Sequence, residues 1–291
     1  MNRAFIVIII SLCLAGCNYG GIPDTDTHPD ENTGPIVERI TIAAVTDYSP
    51  APGQFVNLLP PASPGETLDE IKTKVADYLN RGYAVTLGSF GGSITVRLSE
   101  PVMHHPEKPD FFVAGNAITN GSEPGIVEVS TDGIKWYQLK GEFSPHDLPM
   151  IHITYNKEPD SNDIPYSAVT DAGSTITGSV AWLPQYRSQS YWPVWIPTQE
   201  LSFSALRLPD NAKLNESTGQ YDFTPYSGYA DSYPNSSPLG YLSLDDAIDP
   251  ATGTKAELTS ISFVRVTTSI LQSNGPLGEA STEVSGIYVL L

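Results

Sequence analysis

The stretch Ile126-Val127-Glu128-Val129-Ser130-Thr131-Asp132-Gly133-Ile134-Lys135-Trp136-Tyr137-Gln138-Leu139 decides how this chain folds. Two runs rich in β-branched and aromatic residues flank an Asp-Gly pair. Both residues of that pair tolerate positive φ, so the segment predicts a hairpin with a tight turn over 130–133 and a second strand from Ile134. Ser93-Ile94-Thr95-Val96-Arg97-Leu98 alternates with period two and puts Ile94, Val96 and Leu98 on one face. Phe111-Phe112-Val113-Ala114-Gly115 is a continuous run, as in a buried strand. Further strands are predicted over 151–155, 201–208, 261–268 and 284–290. Many short strands between Gly- and Pro-rich turns predict an all-β chain, a jelly-roll-like β-sandwich.

One covering helix is expected beside the strands. Leu68, Ile71, Val75, Tyr78 and Leu79 follow a 3.6-residue period, Thr67 and Glu70 form a capping-box pattern, and Gly82 stands where a C-terminal cap belongs. A second short helix is predicted near 244–248. With no internal repeat and no linker beyond it, 36–291 reads as a single β-sandwich domain.

The N-terminus has a different character. Arg3 precedes the apolar run Ala4-Phe5-Ile6-Val7-Ile8-Ile9-Ile10-Ser11-Leu12, which is too short to span a bilayer and suits the core of a secretory signal. Leu14-Ala15-Gly16-Cys17 then resembles a bacterial lipobox, whose cysteine is acylated. Residues 1–17 are therefore expected to be a lipoprotein signal peptide ending at lipidated Cys17, and 18–35 a flexible acidic tether. Cys13 falls in the discarded part, so the body has no thiol and neither disulfide nor thiolate chemistry is open to it. The expected location is the bacterial outer membrane, lipid-anchored at the cell surface, where several acyl chains at about 0.8 kcal/mol per buried CH₂ make a stable anchor.

Composition narrows the partners. In 291 residues, 33 acids oppose 15 bases for a net charge of −18. That charge excludes nucleic acid and an anionic membrane surface as partners through bulk electrostatics, leaving the lipid anchor as the membrane contact. No Gly-x-Ser-x-Gly, Walker A, Gly-x-Gly-x-x-Gly or His-Glu-x-x-His motif occurs, so no catalytic residue is assigned. His104 and His105 are adjacent and, on a strand, would point to opposite faces.

An aromatic cluster is the first candidate site: Trp182, Tyr186, Tyr191, Trp192 and Trp195, with Gln189 among the interleaved polar residues. Flat rings stack on sugars or large planar ligands while polar neighbours orient them. Equally, such rings fill the end of a sandwich.

Several segments together resemble a family of Bacteroidota-type cell-surface lipoproteins, labelled as PKD-like or cell-surface proteins. The match runs through 48–57, 88–94, Gly115-Asn116-Ala117, Ser122-Glu123-Pro124-Gly125, Trp136-Tyr137-Gln138-Leu139, 191–195, Gly228-Tyr229-Ala230-Asp231, 261–266 and 277–284. The resemblance implies a β-sandwich surface protein associated with outer-membrane uptake systems, some of which handle glycans and others corrinoids. It implies no activity. The tight turn at 130–133 replaces a longer acid-rich stretch in many members, so a calcium loop there is not expected.

Asn116, Glu123, Asp231, Glu279 and Glu283 all lie in the segments that carry the resemblance, in Gly-rich turns. Calcium takes six to eight oxygens, and loops at one sandwich edge can supply them. The same side chains can instead accept backbone N–H bonds in turns. Calcium is thus the one cofactor expected.

The functional expectation is a surface-anchored lipoprotein that binds a glycan or corrinoid as an accessory to an outer-membrane transporter. The alternative is a structural or interaction subunit without a small ligand; a carbohydrate hydrolase is a distant third. A deep aromatic cleft with facing carboxylates would mark the hydrolase, and a shallow aromatic platform a glycan binder. Fully buried rings would mark the interaction subunit.

Overall fold

A computed structural model describes residues 37–159, 161–183 and 190–291. The signal peptide with Cys17, the tether, Tyr186 and Gln189 lie outside the described residues. The strands are β1 (Val37–Ile40), β2 (Ile42–Ser49), β3 (Val85–Thr86), β4 (Ser93–Met103), β5 (Phe111–Ala114), β6 (Gly125–Ser130), β7 (Tyr137–Leu139), β8 (Met150–Asn156) and β9 (Ile164–Thr170). They continue as β10 (Thr175–Val180), β11 (Glu200–Leu206), β12 (Ala212–Asn215), β13 (Gln220–Phe223), β14 (Ala247–Ile248), β15 (Ser260–Thr268), β16 (Glu283–Val284) and β17 (Gly286–Leu290). Among the described residues one α-helix, α1 (Leu68–Arg81), accompanies them. The fold is all-β and sandwich-like with one covering helix. No described helix is long and apolar enough to cross a membrane.

The largest sheet runs β14-β7-β6-β15-β4-β2, and a four-stranded sheet runs β10-β9-β8-β11. A three-stranded sheet, β1-β17-β5, and the pairs β12-β13 and β16-β3 complete the set. Val45, Val96, Val264 and Val129 stand opposite one another across four strands of the large sheet. This inner row is buried and joins Ile71, Val75 and Leu79 of α1 and Val113 and Ile287 in the main core. The helix starts where the capping box forms: Thr67 N–H donates to Glu70 Oε2 at 2.8 Å and Glu70 N–H to Thr67 Oγ1 at 3.3 Å. It ends at Gly82, left-handed at φ 76°. Asn80 then docks it on β2, bonding both the N–H and the C=O of Ile42.

Three expectations are corrected. The second strand of the hairpin begins at Tyr137, with Val129 opposite Tyr137 and Glu128 opposite Gln138. The Asp132 carboxylate accepts the N–H groups of Ile134 and Lys135 at 2.8 and 2.9 Å, which turns those residues out of the ladder. The strand predicted over 284–290 is two strands, because Ser285 N–H donates to Ala114 and the chain changes partners from β3 to β1 and β5. Near Leu244 a single 3-10 turn, Leu244–Asp246, leads straight into β14.

Candidate metal centre

Four segments converge where β5 ends and β16 begins. Gly125 and Ala230 exchange backbone hydrogen bonds at 3.0 and 2.9 Å, and Glu123 N–H donates to the Asp231 carbonyl at 3.0 Å, setting Glu123 beside Asp231. Asp231 ties this pair to the rest. Its Oδ1 accepts the N–H groups of Asn116 and Ala117, both at 2.8 Å, and its Oδ2 accepts Glu283 N–H at 2.9 Å. Residue 115 must be glycine for this, since a Cβ there would collide with the Asp231 carboxylate. Glu123 Oε1 accepts Ser281 N–H at 2.9 Å, and its carbonyl accepts the Thr282 hydroxyl at 2.9 Å. Glu283 Oε1 accepts the Ser281 hydroxyl at 3.0 Å, and the Ser281 hydroxyl in turn meets that of Thr86 at 2.8 Å.

Glu123, Asp231 and Glu283 thereby each place a carboxylate oxygen within 4.8 Å of the other two. Asp231 and Glu283 are buried and Glu123 is half-buried. No lysine or arginine pairs with any of them among the described residues. Three like charges in a poorly hydrated site disfavour ionisation. Burial, then the charge of Asp231, pushes Glu283 up to about 8. Burial pushes Asp231 up to about 6 against the pull of its three N–H donors. Burial and the charges of Glu283 and Asp231 raise Glu123 well above the ordinary carboxylate range. A divalent cation is the partner that such a donor set fits: hard oxygens, net negative, with the Asn116 amide and the Thr86 and Ser281 hydroxyls alongside.

Of the five residues expected at a metal, the structure brings three together and places Asn116 against them. Glu279 instead braces a different loop, where its Oε1 accepts Gln54 N–H at 2.5 Å and lies against Gly53. Thr86 and Ser281 were not singled out in the sequence; a threonine in a two-residue strand carries no local sign of such a role.

The aromatic segment divides. Tyr191 and Trp192 are buried in the second core, under the four-stranded sheet with Ile151, Ile153 and Tyr155, and Trp182 packs half-buried against it. Trp195 belongs to the main core, stacked on Tyr48 with ring centroids 6.2 Å apart. Asn57 holds the segment in place, its amide donating to the Ser190 and Trp192 carbonyls at 2.7 and 2.9 Å. Burial at 0–1% leaves Tyr191 and Trp192 no face for a ligand in this arrangement. A groove of about 370 Å³ lined by Phe143, Leu148 and Arg207 contains none of the expected site residues.

The histidine pair departs from strand alternation. β4 stops at Met103, so alternation does not extend to His104 and His105. Both rings turn to one carboxylate: His104 Nδ1 lies 3.2 Å from Asp110 Oδ2 and His105 Nδ1 3.4 Å from Oδ1. No family model and no curated protein matches this chain.

Proposed function

We propose that this chain is a lipid-anchored bacterial surface protein, a binding module serving an outer-membrane uptake system, with calcium fastening its loops at Glu123, Asp231 and Glu283. The triad carries the reading. Three carboxylates within 4.8 Å and without a basic partner among the described residues are a poor way to hold loops together, unless a cation joins them. Extracellular modules bind calcium in the range of about 10⁻⁴–10⁻³ M, which suits the compartment implied by the lipobox-like Leu14-Ala15-Gly16-Cys17. The residues joined come from the ends of β5 and β16 and from the turns at 116–123 and 229–231, so the ion would clamp one end of the sandwich.

Thermal unfolding with calcium and with a chelator tests this. A ligand at about 100 times its Kd stabilises by about 2.7 kcal/mol, or roughly 5–10 °C for a domain of this size. Equal midpoints in calcium and chelator would remove the metal from the reading.

A second reading, an interaction subunit with no small ligand, is favoured by one observation: Tyr191, Trp192 and Trp195 are core residues. A panel of glycans and cobalamin separates the two, since the interaction subunit would bind none of them.

A further inference from the structure

The connection between β6 and β7 builds a surface unrelated to the triad. Asp132 holds the backbone of Ile134 and Lys135, and the Ser130 hydroxyl donates to the same carboxylate oxygen at 3.1 Å. This bend throws the next residue, Trp136, across the outer face of the large sheet. Its indole lies on the Arg265 guanidinium at 3.9 Å and meets Phe263 edge-on, with centroids 6.4 Å apart at 72°. The indole N–H donates to the Gly133 carbonyl at 3.2 Å, fixing the ring. Trp136 remains half-exposed.

Register shows what shares this face. Phe263 stands opposite Arg97; Arg265 stands opposite Glu128, and Glu128 opposite Gln138. Side chains directly opposite in an antiparallel pair project to the same side. Arg265 shares its charge with Glu128, at 3.3 Å. Arg97 is exposed and no carboxylate pairs with it among the described residues. A fixed, half-exposed indole resting on Phe263, with the exposed Arg97 opposite Phe263 on the same face, is an arrangement for a sugar that carries a carboxylate. The ring face takes the apolar face of a pyranose, and the Arg97 guanidinium fork takes the carboxylate in paired hydrogen bonds.

The geometry points to an acidic saccharide, of the uronic-acid class, bound on this face with Trp136 as platform and Arg97 as the carboxylate partner. This inference rests on the binding-module reading and replaces the buried 191–195 rings with a surface that a glycan can reach. In a chain of net charge −18 the attraction is local, so binding should be selective for short oligomers and sensitive to salt.

The test is titration of the full chain in detergent with galacturonate and mannuronate tetrasaccharides, a neutral glucose tetrasaccharide and cobalamin, by calorimetry and tryptophan fluorescence. Wild type should bind a uronate oligomer, several-fold more weakly when salt rises from about 50 to about 500 mM. Trp136→Ala should weaken it by roughly tenfold or more. Arg97→Gln, at an exposed position where folding is not at stake, should cost a similar factor for uronates and leave the neutral oligomer unchanged. Uronate binding of equal strength in wild type and both variants would overturn this site while leaving the binding module standing. Preference for the neutral oligomer or cobalamin would overturn the acidic class. Absence of binding by any of these at millimolar concentration would remove the binding module itself.

Discussion

The two ends of β5 abut two buried carboxylate sites that are satisfied in opposite ways. At its start, Asp110 is fully buried, yet Leu244 N–H and His105 N–H donate to it at 2.7 and 2.6 Å and two imidazoles close around it. At its end, Asp231 meets only N–H donors and two further carboxylates, Glu123 and Glu283. Asp110 has its donors and potential cations within the chain. The triad has donors enough for Asp231 but no positive charge among the described residues. A buried carboxylate therefore does not by itself indicate a ligand; the informative feature is whether the chain supplies the compensating charge.

The largest effect expected from this contrast is at the self-sufficient site. Asp110→Ala strips two backbone donors and the His104 imidazole of their acceptor and removes the carboxylate beside His105, and should cost about 3–5 kcal/mol in denaturant unfolding. That loss should be the same in calcium and in chelator; rescue by calcium would break the contrast.

At the triad, Glu283→Gln should abolish the calcium-dependent stabilisation of about 2.7 kcal/mol at about 100 times Kd. In chelator the same variant should be as stable as wild type at pH 8 or more so, because it removes one of three repelling charges. A calcium shift that survives in Glu283→Gln places the ion elsewhere.

The pH profile sharpens the comparison further. In the metal-free protein Asp231 and Glu283 are raised to about 6 and about 8. An acid whose folded value exceeds its unfolded value holds its proton more tightly when folded. Its contribution is complete below about pH 4 and is lost as pH rises through the folded values, at up to about 1.4 kcal/mol per pH unit for each proton. Metal-free protein should thus unfold more readily at pH 8 than at pH 5, and calcium should stabilise it more at pH 8. A flat profile in chelator would show that the triad's charges are compensated within the chain.

The smallest effect belongs to an exposed counterpart. His152 contacts Asp171 at 3.2 Å and the Ser204 hydroxyl at 2.7 Å on the solvent face of the four-stranded sheet. His152→Ala should change stability by less than about 0.5 kcal/mol, since water competes for both contacts. A larger loss would mean that exposure does not govern the strength of these pairs.

Where the chemistry is local, the sequence was sufficient. Thr67, Glu70 and Gly82 predicted the helix boundaries because a cap acts within one turn. Ile94, Val96 and Leu98 predicted their face because side chains alternate along any strand. The hairpin between Ser130 and Tyr137 was legible in kind but not in register, because the Asp132 side chain competes with the ladder for its N–H groups. For the candidate site, Glu123, Asp231 and Glu283 could be drawn from the Gly-rich turns, but nothing along the chain separated them from Glu279. Spatial position makes that distinction: Glu279 reaches the backbone of Gln54, while Glu283 follows Ser281 and Thr282 into the Asp231 carboxylate.

The sequence by itself determined the strand and helix periods, the caps and the surplus of acid, because each depends on neighbours a few residues away or on composition. Tertiary structure alone decided which carboxylates meet, which rings are core and which ring lies on the surface. Those outcomes depend on strand partners more than a hundred residues apart, as when Asp231 receives the N–H of Asn116 and Arg265 slides beneath Trp136.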